Sequence, residues 1–460
     1  MRAIVALGSA VLALVACGRE PTPVSDPVPE DQVVLPSPED RTRESYLADA
    51  KFRRAALEDS LANPDNGYSR DRLAAYGFAD AGWELLPAWN PRVVPLTTEI
   101  TRRMRSGELA LPPATNPLWD GNANLDLDGW RELGRRVFFE YPLRADDSIA
   151  HALLDPERAA ARGLRAASDG SYPGLVVFED LDGVARIGIT CALCHTALVE
   201  GRPWPGRARR DLEYGRVRLE YHAETGVPLE PELAARMARW GPGRADITGD
   251  DDEDPVAIPD LWRLLELSAL TQAGTLRLAG ERIADSSERR SHDLVVLAIR
   301  QETQIIQAGG DRIRPPRELA WALAEFVASL EPPALPLHDA AGVREGREAF
   351  AKHCRRCHDG PAGSGPPVLA QSVGTDRALA DSRARGTGRF RPAPLVAVEA
   401  AAPYFHDGSV PTLADVLDPR RLAPEYRDGL RGAGPVPGHS FGTELPPAER
   451  AAIVAYLRTL

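Results

Sequence analysis

The sequence predicts a mainly α-helical protein of two domains, both with long loops and the N-terminal one enlarged. Three observations carry that reading. Apolar residues recur at helical spacing in Trp130–Phe139, in Arg317–Leu330 and at the end of the chain, where Ile453, Tyr456, Leu457 and Leu460 fall at i, i+3, i+4 and i+7. The stiff stretch Glu331-Pro332-Pro333-Ala334-Leu335-Pro336 stops the second of these helices and acts as a linker. A C-x-x-C-H segment stands on each side of it: Cys191-Ala192-Leu193-Cys194-His195 and Cys354-Arg355-Arg356-Cys357-His358.

Residues 1–17 have the build of a secretory signal: Met1-Arg2, an apolar run from Ala3 to Ala16, then Cys17. The run falls short of the roughly 18 apolar residues that cross a bilayer as a helix, and no later segment reaches that length. Leu14-Val15-Ala16-Cys17 resembles a bacterial lipobox, which implies cleavage before Cys17 and lipidation of its thiol. Residues 18–40, rich in Pro, Ser, Asp and Glu, read as a flexible tether. The expected product is an exported body on the periplasmic side. Its contact with the membrane, expected to be the outer one, is through the lipid alone.

The body divides into residues 41–330, the linker 331–336 and residues 337–460. In the last part, Gly342–Cys357 is expected to be helical, with Val343, Phe350 and Ala351 on one side. Residues 363–388 are loop-rich. The final helix opens with Pro446-Pro447, where missing N–H groups cost nothing. The sequences flanking the two C-x-x-C-H segments share little, so no duplication is legible. A formal net charge of -12 excludes a nucleic-acid partner.

The chain has 5 cysteines, and setting Cys17 aside leaves two pairs. An exported compartment tolerates disulfides, yet each pair is followed at once by histidine. Zinc needs four ligands close together, whereas these pairs are far apart in the chain. A redox C-x-x-C has no need of the histidine. C-x-x-C-H is the attachment pattern of c-type haem. Both segments are therefore expected to bind haem covalently, through Cys191 and Cys194 and through Cys354 and Cys357. His195 and His358 would be the proximal iron ligands. The two domains become cytochrome c-like haem domains. A ligating histidine usually donates its second N–H to a carbonyl; Gly201–Pro205 and Gly365–Leu369 are the segments expected to supply it.

The sixth ligand decides between electron transfer and reaction at an open iron face. Of 3 methionines, Met1 leaves with the signal, Met237 reads as helix packing, and residues 337–460 contain none. His353 stands too close to Cys354 to reach the opposite face. His406 and His439 remain.

Ala402–Leu417 (APYFHDGSVPTLADVL), Gly386–Leu395 (GTGRFRPAPL) and Phe441–Leu460 (FGTELPPAERAAIVAYLRTL) resemble the C-terminal domain of the bacterial diheme cytochrome c peroxidases. That superfamily also includes the diheme enzyme that matures the methylamine dehydrogenase cofactor and the diheme rubber oxygenases. In the peroxidases a methionine a few residues before Gly-Thr-Glu-Leu is the sixth ligand. His439 falls at nearly that place, so the resemblance implies His358/His439 ligation and leaves His406 structural. It also implies a calcium ion held by carbonyls at Ala401 and Pro403, with Asp254 of the acidic run Asp250–Asp254 as a carboxylate source.

The resemblance further implies that electrons enter at the C-terminal haem from a small redox protein and reach the N-terminal haem, where peroxide or another small oxidant is reduced. The Trp-Asp-Gly-Arg-like stretch of the peroxidases has only Thr271-Gln272-Ala273-Gly274-Thr275 as counterpart. Trp262 is a candidate aromatic relay. Glu281, Glu288, His292 and Glu302 are candidates for a distal acid or ligand. Two other readings stay open: a pure electron carrier with both irons six-coordinate, and a dioxygen-dependent oxygenase resembling the rubber oxygenases.

Overall fold

Asp126 caps the helix Leu127–Glu140, its side chain accepting the Gly129 N–H at 2.8 Å. The apolar stripe of that helix buries Trp130, Leu133, Gly134, Val137 and Phe138. It crosses the helix Arg317–Ala328 so closely that a Cβ on Gly134 would stand 1.9 Å from the Ala322 carbonyl oxygen. One turn on, the Phe138 and Phe326 rings lie 5.3 Å apart.

The same crossing occurs a second time. The helix Val343–His353 packs on Pro447–Leu457, and a Cβ on Gly346 would stand 1.9 Å from the Ala452 carbonyl oxygen. One turn on, Phe350 and Tyr456 lie 5.4 Å apart. Glycine lets two helix backbones approach, and the aromatic pair four residues later fills the widening gap. Each large ring buried there contributes on the order of 2 kcal/mol. The internal repeat absent from the flanking sequences is present in the packing.

The computed structural model describes residues 37–107, 115–246, 255–333 and 342–460. The signal segment, Cys17, most of the tether and the acidic run Asp250–Asp254 lie outside them. Pro38–Leu460 form one unit. Helices dominate, as expected, and none among the described residues is long and apolar enough to cross a membrane.

The enlargement of the N-terminal part has a location. In the second crossing the first helix leads directly into its C-x-x-C-H. In the first, a four-stranded antiparallel sheet is inserted between them, in the order Val93–Thr97, Ser171–Glu179, Ala185–Ile189, Arg144–Ala145. The expectation of helical patches and loops did not include it. The strand Ser171–Glu179 is buried along nearly its whole length, and Leu175-Val176-Val177-Phe178 suit a pleated, covered surface. Gly183, at φ 78°, turns the chain back into Ala185–Ile189. Helices from Pro38 to Ala75 and the long helix Ser286–Ala308 cover this region.

At the C-terminal end, the expected helix over Gly342–Cys357 stops at His353. Cys354 to Cys357 continue as turns, with Cys357 N–H reaching the Cys354 carbonyl at 3.2 Å.

Candidate functional site

The sheet delivers the first C-x-x-C-H. The strand Ala185–Ile189 runs into Thr190, which caps the short helix Cys191–His195. Thr190 Oγ1 accepts the Ala192 N–H at 3.3 Å and donates to the Phe138 carbonyl at 3.0 Å, tying the segment to the helix crossing. On its other side the segment rests on Gly174 (φ 83°), where a Cβ would meet the Leu193 nitrogen at 1.9 Å. Only glycine allows that approach.

His195 is partly exposed, and its Nδ1 lies 3.0 Å from the Pro259 carbonyl oxygen. The expected donor of that carbonyl, Gly201–Pro205, instead forms a hairpin in which Arg202–Pro205 pairs with Thr196–Val199. Its backbone groups are committed to the strand ladder, and the chain must return from Pro259 to orient the ring. Burial drives the His195 pKa down to about 4; the Pro259 hydrogen bond opposes this, and the charges of Arg300 and Arg210 add to it. The imidazole is thus held neutral, the form that ligates a metal. Burial likewise pushes the Cys191 and Cys194 thiols up, to about 12 and about 11. Redox-active cysteines have depressed pKa values, so these are not poised for thiol chemistry. The four described cysteines are free of disulfides, and among the described residues no His, Cys, Asp or Glu cluster gathers to hold a metal ion. Three residues beyond Pro259, Trp262 is buried and its Nε1 has no partner.

The second C-x-x-C-H follows the same rule with different residues. His358 Nδ1 lies 2.7 Å from the Gly363 carbonyl oxygen, not from a carbonyl in Gly365–Leu369. The Gly365 N–H returns to the Cys357 carbonyl at 2.9 Å, so the chain closes a tight loop on the motif and Gly363 arrives first. Burial lowers the His358 pKa.

His439 faces this ring. The His358 and His439 ring centres are 6.4 Å apart. An imidazole nitrogen binds a transition metal at about 2 Å, with its ring centre about 1 Å further, so two rings on opposite sides of one iron stand about 6 Å apart. His439 Nδ1 is buried and has no hydrogen-bond partner. Its pKa is driven down to about 4, first by burial, then by His358 and Arg421. The residues present therefore fit a bis-histidine haem. Gly438 (φ 87°) and His439 (φ 42°) form the turn that presents the ring. Buried Arg421 secures it, donating to the Val436 and His439 carbonyls, both at 2.7 Å. Of the other histidines, His406 stacks on Phe390 at 4.6 Å and His353 lies 3.1 Å from Glu449.

The distal-acid candidates are dispersed. Glu302 is fully buried and accepts from Tyr46 Oη at 2.9 Å and Tyr76 Oη at 2.6 Å, with Arg317 Nε 3.4 Å away. It belongs to helix packing. Two residues earlier, Arg300 acts on Cys191 and His195 with its charge; helix geometry puts positions two apart about 200° around the axis, on nearly opposite sides. His292 pairs with Asp293 at 2.9 Å, and Glu288 is exposed. Glu281 lies in a short 3-10 turn, Gly280–Arg282. Thr271–Thr275 form a turn against the second motif's loop: Gly274 abuts Pro367, and Arg391 donates to the Thr271 carbonyl at 3.2 Å. Sequence reasoning missed Arg300, Arg210, Arg421 and Pro259; nothing in their local sequence sets them apart.

Acidification is expected to destabilise the fold. The folded protein holds His195 and His439 neutral with pKa values of about 4, against an ordinary value of 6.5. Between about pH 6.5 and pH 4 the unfolded chain binds more protons, so stability is full above that window and falls with pH inside it. Melting temperatures across the window check this; a flat profile would contradict it.

Two family models match the chain. Residues 389–426 match the RoxA-like, cytochrome c-like family, and residues 341–395 match cytochrome c oxidase, cbb3-type, subunit III. Both are cytochrome c-type families, and they indicate covalently bound haem c. No curated protein matches. Among solved structures, hydrazine synthase of Kuenenia stuttgartiensis, pressurized with xenon, is 14% identical with a TM-score of 0.28, covering 76% of this chain and 100% of that one. A MauG-like protein associated with microbial copper homeostasis is 15% identical with a TM-score of 0.25, covering 76% of this chain and 95% of its own. The family matches, not these distant neighbours, support the resemblance to the diheme peroxidase and rubber-oxygenase superfamily over the C-terminal part of the chain.

Proposed function

We propose that the protein is an exported, lipid-anchored oxidoreductase with two covalent haems c, one on Cys354, Cys357 and His358 with His439 as second ligand, the other on Cys191, Cys194 and His195. The C-terminal centre is the electron relay, loaded by a small redox protein. The N-terminal centre is where peroxide or a related small oxidant is reduced. When bound, haem c supplies one-electron exchange at its iron. The chain supplies the rest. Pro259 and Gly363 fix the two proximal rings, Arg421 and the Gly438 turn hold His439, and Arg300 places positive charge beside the first motif, where charge developing on a substrate would be stabilised. Trp262, with its unpartnered N–H beside the His195 segment, is the proposed relay between the centres.

The His358–His439 separation carries this reading. It marks the C-terminal centre as six-coordinate, hence an electron carrier, and leaves reactivity to the other. Protein from a host that matures c-type cytochromes is expected to gain the mass of two haems that survive denaturation, and Cys191→Ser/Cys194→Ser that of one. Half-reduced protein is expected to show a high-spin signal that disappears on adding peroxide. Only low-spin signals, inert to peroxide, would instead establish the pure carrier. The match of residues 389–426 to the RoxA-like family favours a second reading, dioxygen-dependent cleavage of an apolar substrate. Oxygen uptake with a polyisoprene substrate tests it.

A further inference from the structure

The carbonyl of Ala401, named above as a calcium ligand, is already engaged. Arg210 Nη2 donates to it at 3.1 Å, and Arg210 Nε donates to the Ala402 carbonyl at 3.0 Å. The same guanidinium donates to the Ile258 carbonyl through Nη1 and to Asp260 Oδ2 at 3.1 Å through Nη2. Asp260 Oδ1 in turn accepts the Ala208 N–H at 2.7 Å. Calcium needs six to eight oxygens. Here the carbonyls point at N–H donors, the carboxylate is paired, and a divalent cation among them would face a fixed positive charge.

We propose that Arg210 stands in for a metal ion: its guanidinium is the cation that joins the two haem segments, and it is the positioning residue that couples their axial ligands. The connections run both ways from its planar fork. Ile258 and Asp260 flank Pro259, whose carbonyl orients His195. Ala401 and Ala402 lead through Pro403 and Tyr404 to Phe405, whose ring lies 6.0 Å from His439. A guanidinium satisfies several fixed acceptors at once, in one plane and at any physiological pH, which an ammonium cannot do. Arg210 is largely buried, so its bonds face little competition from water.

The inference rests on the two-haem reading, which haem counting by mass tests separately. With both haems attached, wild-type protein dialysed against EGTA is expected to retain no stoichiometric calcium. Its melting temperature and half-reduced spectrum are expected to be the same in EGTA and in millimolar calcium. One equivalent of retained calcium, or a spectrum that responds to chelation, overturns the proposal, and this measurement needs no variant. Arg210→Gln is expected to shift the absorption and spin-state signals of the His195 centre. It is also expected to become calcium-responsive, because it frees three carbonyls and the Asp260 carboxylate. Arg210→Lys, with one point of charge, is expected to restore part of the spectrum. An Arg210→Gln spectrum identical to wild type would remove the coupling role.

Discussion

His439→Ala is expected to convert one low-spin haem signal to high-spin and to shift the reduction potential of that centre, while leaving haem attachment intact. Attachment depends on Cys354 and Cys357, and the proximal side depends on His358 and Gly363 O, none of which the substitution touches. What it removes is the ring 6.4 Å from His358. Axial ligand identity and number set both spin state and potential, and no methionine lies in residues 337–460 to take its place. Free imidazole added to the variant is expected to restore the low-spin spectrum, since the substitution leaves a ring-sized space. The Arg421 bonds to the Val436 and His439 carbonyls are to backbone atoms and survive in alanine. An unchanged spectrum in the variant would remove His439 from the iron and, with it, the observation on which the division of labour between the centres rests.

The chemistry of this protein was more legible than its scaffold. The C-x-x-C-H segments are local signals, readable within five residues. The helices at 127–140, 317–328 and 447–457 were readable because one buried face imposes a period on the sequence. The sheet was not. Its central strand, Ser171–Glu179, is covered on both sides, so it lacks alternation, and one partner, Val93–Thr97, lies far upstream. The carbonyl that orients His195 comes from a residue 64 positions away, and only the fold reveals it. Arg210 and Arg421 look like any other arginine until their acceptors are seen to be backbone oxygens. The expected roles of Glu302 and His292 dissolved for the opposite reason: each has the right chemistry but is consumed by neighbours.

The repeated helix crossing yields the second large effect. Replacing Gly346 with valine is expected to cost about 3 kcal/mol or more and to lower haem incorporation at the C-terminal motif. In an exposed helix, glycine to alanine gains about 1 kcal/mol from reduced backbone freedom. Here the first added carbon would lie 1.9 Å from the Ala452 carbonyl oxygen and 2.9 Å from Tyr456 Cβ. The helices must separate, which also parts Phe350 from Tyr456 and opens the cluster that holds Ile453 and Leu457. Overpacking usually costs about 1–3 kcal/mol when side chains can yield; backbone yields less. Even Gly346→Ala is therefore expected to destabilise, reversing the sign of its helix propensity. Gly134→Val, at the first crossing, is expected to act on the N-terminal motif in the same way, because the Phe138 carbonyl on that helix anchors Thr190. Thermal melts and haem mass for the two variants check both effects. If each variant loses the haem beside its own crossing, the two crossings are equivalent parts of a repeated haem-binding unit. If either melts like wild type, the close approach is not what holds that pair of helices together.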